Sequence, residues 1–310
     1  MEMENILFVP TVRESLWIPE LFSGFSPAGL PVAGRRILDY GLEIAQRANV
    51  TLVDVLDWSY DERLAKEFSD PTRAANVVFY TKGEGEMPRG LNDLYGLSSP
   101  LTQSIQDGLF VVWGPCLALE LDNFDPEPVS PEDCANTPMG IYLREGNAWK
   151  RLHMKSLMVR DVKSWHEINF VVLHDPGWFT LPGYSAERCV YLGRNVVMEF
   201  GTRVKAPVLL GDNTWLARNV RLEGDVIVGS GSFVNEGARL ARTVVADNTY
   251  IGVGLDLEDK IVIGGRVIDV ETGAWTDLEE PGLTNRLNGG FGWVKSAWRF
   301  LRGRSYGRSV

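Results

Sequence analysis

The chain has 310 residues, a formal net charge of -10 and 45% hydrophobic residues. This length allows two domains, and the composition is typical of a soluble globular protein with a sizeable core. The acidic balance argues against nucleic-acid binding, because that function needs a basic surface.

The cysteines are odd in number and widely spaced, at Cys116, Cys134 and Cys189. No Cys-x-x-Cys pair is present, so neither a disulfide framework nor a zinc site is expected, and a reducing cytoplasm fits. The acidic N-terminal residues do not resemble a secretory signal, and no apolar run reaches membrane-spanning length.

Short apolar runs alternate with one helical pattern in the first third of the chain. We predict strands at residues 5–10, 51–56, 77–80 and 109–113, and a helix whose apolar face lies within 37–48. This alternation predicts an α/β domain with a largely parallel sheet. Ligands of such sheets bind beyond the carboxyl ends of the strands, which lie here near Pro10, Asp57 and Gly114.

The segment from Glu120 to Asp133 is acidic and rich in proline, and this composition predicts a solvated loop.

A period of six residues begins at Leu192. Ten positions in this register are apolar: Leu192, Met198, Val204, Leu210, Leu216, Leu222, Val228, Val234, Leu240 and Ala246. The fourth residue after each of them is small or β-branched, except Tyr250. A helix or a simple alternating strand does not have this period, whereas a parallel β-helix with one inward residue per side does. We expect the period to shift after Tyr250, with an irregular final coil.

This repeat resembles the hexapeptide family, and the resemblance implies a left-handed β-helix that supports a homo-oligomer. Many members are acyltransferases that use a histidine base on or beside the coils. Here the histidines are His153, His166 and His174, all before the repeat. An acyltransferase would have to use one of them, and this remains a third hypothesis.

Residues 30–40, Leu-Pro-Val-Ala-Gly-Arg-Arg-Ile-Leu-Asp-Tyr, resemble the segment that opens the first helix of sugar-1-phosphate nucleotidyltransferases. Residues 165–169 and 172–173 resemble the helix that leaves their catalytic domain. The resemblance implies a Rossmann-like nucleotidyltransferase-type α/β domain at 1–182 and a β-helix at 183–275, with a basic tail at 276–310.

Members of that family join a sugar 1-phosphate to a nucleoside triphosphate and use Mg²⁺ to neutralise charge. The resemblance makes five residues candidates for nucleotide or phosphosugar binding: Arg13, Arg35, Arg36, Gly114 and Asp161. The family's glycine-rich loop is replaced by residues 11–19, its lysine is missing before Leu30, and Pro115 stands where its metal-binding aspartate would follow Gly114.

Three missing catalytic parts favour a degenerate protein, because the loss of each would cost orders of magnitude in rate. The first hypothesis is therefore a regulatory, scaffolding or ligand-binding protein in sugar-nucleotide or polysaccharide metabolism, without metal or cofactor. The second is an active sugar-1-phosphate nucleotidyltransferase with Mg²⁺, whose site is rebuilt from Arg13, Arg35, Arg36 and Asp161.

The last residues are basic, and apolar side chains recur at helical spacing between Trp293 and Leu301. Three interpretations of the 288–310 segment remain open: it folds back onto the protein's own acidic surface, binds an acidic protein partner, or binds an anionic membrane surface.

Overall fold

The computed structural model of the protein describes residues 5–22, 26–50, 52–58, 64, 66–67, 76–81, 87–96, 108–119, 124–175, 177–277 and 283–286. The tail at 288–310 therefore lies outside the described residues. The chain divides into two compact units, Met1–Ile168 with Gly177–Phe179, and Asn169–Pro176 with Thr180–Val310.

The first unit contains short strands and helices. Its strands are β1 Asn5–Val9, β2 Pro31–Val32, β3 Arg35–Arg36, β4 Leu52–Asp57, β5 Asn76–Thr81, β6 Phe110–Trp113, β7 Cys116–Ala118, β8 Asp125–Pro128, β9 Gly140–Glu145, β10 Ala148–His153 and β11 Ser156–Met158. The helices are α1 Trp17–Leu21, α2 Ile37–Arg47, α3 Pro131–Ala135 and α4 Val162–His174, which ends in the second unit, with 3-10 turns at Arg13–Ser15, Pro27–Gly29 and Leu91–Gly96. No helix in the described part of the chain is long and apolar enough to cross a membrane.

The main sheet of the first unit has seven strands in the order β5-β4-β1-β6-β9-β10-β8. The predicted strands all form, and β5, β4, β1 and β6 are parallel to one another. The other three pair antiparallel, since β9 and β10 form a hairpin that turns at Gly146, where φ is +58°. The sheet is therefore mixed rather than largely parallel.

Helix α2 packs its apolar face against the core. Ile37, Leu38 and Ala45 on this face are at most 5% exposed. Gly41 permits the contact, because a Cβ there would lie 2.6 Å from the Phe8 ring. Strand β6, near the middle of the sheet, is buried on both faces and has no exposed residue.

The acidic, proline-rich segment is not a loop throughout, as its composition predicts. Asp125–Pro128 forms β8 at the edge of the sheet, and Pro131–Ala135 forms α3, which Ser130 caps by accepting a hydrogen bond from Asp133 N at 3.1 Å. Proline is tolerated at a sheet edge because one side of such a strand needs no hydrogen-bond donors. All four residues of β8 are exposed, and this exposure explains its polar composition.

The second unit contains a β-solenoid of about four turns, as the six-residue period predicts. Its strands are β12 Tyr184–Glu187, β13 Val190–Leu192, β14 Val197–Met198, β15 Arg203–Lys205, β16 Val208–Leu210, β17 Trp215–Leu216, β18 Arg221–Glu223, β19 Val226–Val228, β20 Phe233–Val234, β21 Arg239–Val245, β22 Thr249–Ile251, β23 Asp256–Ile263, β24 Arg266–Asp269, β25 Trp275–Asp277 and β26 Thr284–Arg286. Parallel ladders join strands within β13–β23 to those one full coil later, as from β13 to β16 and from β14 to β17, whereas β12, β24, β25 and β26 pair antiparallel.

The predicted inward positions form the solenoid core. Leu210, Leu216, Leu222, Val228, Val234 and Leu240 are at most 1% exposed. Met198 is an exception, at 46% exposed, because it belongs to the first coil, where no preceding coil covers it. The tenth predicted position is wrong, since Val245 stacks on Val228 in place of Ala246.

A shorter corner explains that shift. Leu222 and Leu240 are aligned 18 residues apart, whereas Val226 is aligned with Thr243, 17 residues later. Arg242 turns with φ +44° where the preceding coil uses Gly224 and Asp225. The period therefore changes before Tyr250 rather than after it, and β22 and β23 continue the stack instead of forming an irregular coil.

Another corner depends on glycine because neighbouring coils approach closely there. A Cβ at Gly193, Gly211 or Gly229 would in each case lie 2.5 Å from a backbone nitrogen atom of the next coil. These glycines also donate backbone hydrogen bonds to the next coil, as from Gly211 N to Val228 O at 2.8 Å. The close approach thus allows the ladder to form.

Gly211→Ala is expected to destabilise the solenoid by about 1–3 kcal/mol, the usual result of forcing a methyl group into a packed site. Its Cβ would lie 2.5 Å from Ser230 N. Urea unfolding followed by circular dichroism measures the change. Gly237→Asn is the control, because nothing lies within 4 Å of a Cβ there and Asn219 already holds a positive φ at the same corner. Equal losses in both variants would contradict the explanation.

Candidate functional site

An opening in the first unit lies beyond the carboxyl ends of β1 and β6, where the strand order predicts a ligand site. Gly114, just after β6, donates its N–H to Val9 O at 2.8 Å and so holds these two strand ends together. The cleft there has a volume of about 700 Å³. Its lining consists of Arg13, Glu14, Leu16, Met87, Pro88, Arg89, Trp113, Asn136 and Thr137.

The loop after β1 is closed by its own hydrogen bonds. Ser15 Oγ accepts a hydrogen bond from Val12 N at 2.9 Å, and Ser15 N donates to Val12 O at 2.9 Å. Val12 and Ser15 are buried, whereas the Arg13 side chain between them is exposed and lines the cleft. An anion would therefore meet the Arg13 guanidinium in this loop rather than the amide of Val12.

The opposite part of the lining comes from two segments that are clamped together. Thr137 Oγ1 accepts a hydrogen bond from Leu91 N at 2.9 Å, and Thr137 N donates to Arg89 O at 3.0 Å. Gly90 allows this contact, because a Cβ there would lie 2.3 Å from Cys134 O. These bonds position Arg89 at the cleft, a role that the sequence pattern does not indicate.

A buried polar pair lies beside the same strand ends. Thr11 Oγ1 donates to Asp57 Oδ1 at 2.6 Å, and both residues are at most 2% exposed. The pair joins the loop after β1 to the end of β4, which fixes the backbone leading into Arg13. Asp57, which lies at one of the strand ends predicted from the sequence, therefore positions this loop rather than contacting a ligand itself.

Arg35 and Arg36 form ion pairs elsewhere in the first unit. Arg35 pairs with Glu43 and lies 4.7 Å from the centre of the Tyr40 ring. Arg36 donates to Glu67 through both terminal nitrogens, at 2.8 and 2.6 Å, and to Asp39 at 3.1 Å. Neither arginine lines the cleft, so the structure does not bring them together with Arg13 there.

Gly114 has a structural reason for being glycine. Its φ is +94°, and a Cβ would lie 2.8 Å from Met139 Cγ. The residue before it, Trp113, lines the cleft. Gly114 therefore shapes the edge of the cleft through its backbone.

Asp161 begins helix α4. Its Oδ1 accepts a hydrogen bond from Ser164 N at 2.7 Å, and Ser164 Oγ accepts from Asp161 N at 2.9 Å. This reciprocal pair is the arrangement of a helix N-cap, in which side chains bind amides that the helix leaves without partners. Asp161 does not line the cleft.

A Mg²⁺ ion, which the second hypothesis requires, is usually held by one or two carboxylates together with phosphate oxygens and water. Within the described ranges, no group of three or more histidine, cysteine or acidic side chains could hold a metal ion. Asp161 binds the helix amide, and Pro115 offers no ligand. The two positions that the resemblance assigns to Mg²⁺ ligands are thus a helix cap and a proline.

The histidines and cysteines lie outside the cleft. His153 pairs with Glu127 at 2.7 Å, His174 pairs with Asp225 at 2.5 Å, and His166 is fully buried. Burial raises the pKa of the Cys116 thiol to about 12, so this group remains protonated at neutral pH. No histidine lines this cleft, and the acyltransferase hypothesis, which concerns the β-helix, stays a prediction.

No protein-family model matches this chain, and no curated protein matches it either. The interpretation of the cleft therefore rests on its own residues.

Asp161→Ala is expected to lower the free energy of unfolding by about 1 kcal/mol, because the first amides of α4 lose their cap. Thermal and urea unfolding measure this loss. Lys163→Ala is the control, since it removes an exposed side chain of the same turn that makes no cap. Unchanged stability in the Asp161 variant would show that the carboxylate does not hold the helix.

Proposed function

We propose that the protein is a nucleotidyltransferase-like binding protein that holds a sugar nucleotide or phosphosugar without transferring a nucleotidyl group. The cleft carries this proposal, because Arg13 and Arg89 line it beyond the carboxyl ends of β1 and β6. Arginine binds phosphate through parallel N–H donors, and Glu14 and Asn136 offer polar partners for hydroxyl groups.

The order of the parallel strands supports the ligand class. The four parallel strands lie across the sheet in the order β5-β4-β1-β6. This 3-2-1-4 order supports the proposal, because nucleotides bind Rossmann-like sheets at the strand ends where the order reverses. A Rossmann-like nucleotidyltransferase frame followed by a left-handed β-helix is thus part of the proposal, as the sequence resemblance implies.

Several features support a binding role over a transferase role. The loop after β1 uses Ser15 to bind the amide of Val12, and Asp161 caps α4. Arg35 and Arg36 are held by Glu43, Asp39 and Glu67. Nucleotidyl transfer depends on preorganised charge at the triphosphate, and these groups are committed elsewhere.

A regulatory or scaffolding role in sugar-nucleotide or polysaccharide metabolism follows from this proposal. Ligand binding would signal the concentration of the precursor to a protein partner. The solenoid would provide a rigid support for a homo-oligomer. The cytoplasm is the compartment in which such ligands and unpaired cysteines occur together.

The binding proposal is tested by titration calorimetry with a set of nucleoside diphosphate sugars and sugar 1-phosphates. We expect saturable binding that weakens by at least about tenfold in Arg13→Ala, since a hydrogen bond to a charged group contributes about 1.5–3 kcal/mol. Arg160→Ala, an exposed arginine outside the cleft, is expected to bind as the wild type does. Absence of binding, or equal binding by the two variants, would refute the proposal.

Pyrophosphate release with Mg²⁺, nucleoside triphosphates and sugar 1-phosphates tests the absence of transfer. We expect no turnover above that of a double variant, Arg13→Ala with Asp161→Ala. Turnover that exceeds this control would instead establish the second hypothesis, an active enzyme with a rebuilt site.

A further inference from the structure

An exposed apolar group lies at the first coil of the solenoid. Val197 is 39% exposed, Met198 is 46% exposed and Phe200 is 90% exposed. Strand β14, which carries the first two, pairs with β17 on one side, and no strand among the described residues covers its other side. Exposed large apolar side chains that lie close together in the chain are typical of an interaction surface.

Four cations lie on the same two coils as this apolar group. Arg203 and Lys205 lie on β15, directly after the corner that Phe200 begins, and Arg221 is aligned with Arg203 on the next coil. Arg218 lies at the same corner one coil further, where the next residue, Asn219, donates its N–H to Phe200 O at 3.2 Å. The apolar tip and the cations therefore share one corner of two adjacent coils.

These cations are weakly compensated within the protein. Within the part of the chain that the structure describes, Arg203, Lys205 and Arg221 form no ion pair, and Arg218 is 70% exposed with Glu199 at 3.7 Å. Like charges directly opposite on neighbouring strands repel each other. An anionic partner would relieve this repulsion.

The same column of arginines is neutralised further along the solenoid. Arg239, aligned with Arg221, donates to Glu223 at 2.6 Å, to Asp256 at 2.8 Å and to Glu258 at 2.9 Å. The charge on this face thus changes from basic at the first coils to acidic at the last. The contrast confines the basic surface to the end that also carries Phe200.

We propose that this surface, which we name the first-coil corner, docks on an anionic lipid membrane. Its members are Val197, Met198, Phe200, Arg203, Lys205, Arg218 and Arg221. Phe200 is 90% exposed, and a bilayer accepts such an aromatic side chain between its headgroups. Apolar residues that enter the interface, flanked by cations that contact anionic headgroups, are the usual features of peripheral membrane binding.

The net charge of -10 also favours one orientation of the protein at the membrane. An anionic membrane repels the acidic remainder of the protein, so that the basic corner is the part that approaches. The proposal does not depend on the ligand cleft, and the failure of one leaves the other intact.

Flotation of the full chain with vesicles tests the docking, using phosphatidylcholine with phosphatidylserine in equal parts and phosphatidylcholine alone. We expect binding to the anionic vesicles only, and weaker binding at high salt. Arg203→Gln with Arg221→Gln should lower the partition coefficient about fivefold for each charge removed. Phe200→Ser should lower it about tenfold, through the loss of buried apolar area.

Two control variants separate the corner from the rest of the solenoid. Val253→Ser changes a 57% exposed apolar residue at the other end, and Arg194→Gln changes an 86% exposed arginine that pairs with Asp212 at a different corner. Both are expected to float as the wild type does, with melting temperatures confirming that all variants fold.

Three outcomes would overturn the proposal. The first is no flotation of the wild type with anionic vesicles. The second is flotation of the corner variants at the wild-type level, which would assign any membrane binding to another part of the chain, such as 288–310. The third is retention on immobilised polyglutamate without vesicle binding, which would assign the corner to an acidic protein partner.

Discussion

The spacing between neighbouring coils is the constraint on which the second unit depends. Backbone hydrogen bonds such as Gly193 N to Leu210 O, at 2.7 Å, and Gly229 N to Val245 O, at 2.8 Å, set this spacing. Glycine is needed at the corner formed by Gly193, Gly211 and Gly229, because the next coil leaves no room for a Cβ there. Leucine or valine fills the interior of each coil. When the repeat shortens at Arg242, the same hydrogen-bond ladder continues, so the core remains closed.

In the first unit, the end of each central strand is held by a specific polar contact. Gly114 joins β6 to β1, Thr11 joins the loop after β1 to Asp57 on β4, and Ser15 closes that loop on itself. These contacts occupy backbone groups that could otherwise bind an anion. An anionic ligand in the cleft would therefore meet arginine side chains rather than these backbone amides.

Much of the solenoid could be predicted from local sequence, because Leu210, Leu216 and Leu222 each fill the inward position that every side of a coil contains. Val245 could not be predicted in place of Ala246, since the change depends on the conformation of a single corner residue, Arg242. Arg13 is a candidate because the resemblance implies a phosphate-binding loop after the first strand. The position of Arg89 depends on hydrogen bonds to residues more than 40 positions away, which no local pattern contains.

The edge strand β8 has a consequence for how molecules of this protein meet. Val129 N donates to Trp149 O, at 3.0 Å, on the neighbouring β10. Because successive backbone groups alternate in direction, the nitrogens of Pro126 and Pro128 face the open side of the sheet. Neither nitrogen carries a hydrogen, so a strand from another molecule finds few donors there. This edge is thereby protected from the sheet-to-sheet pairing that begins aggregation.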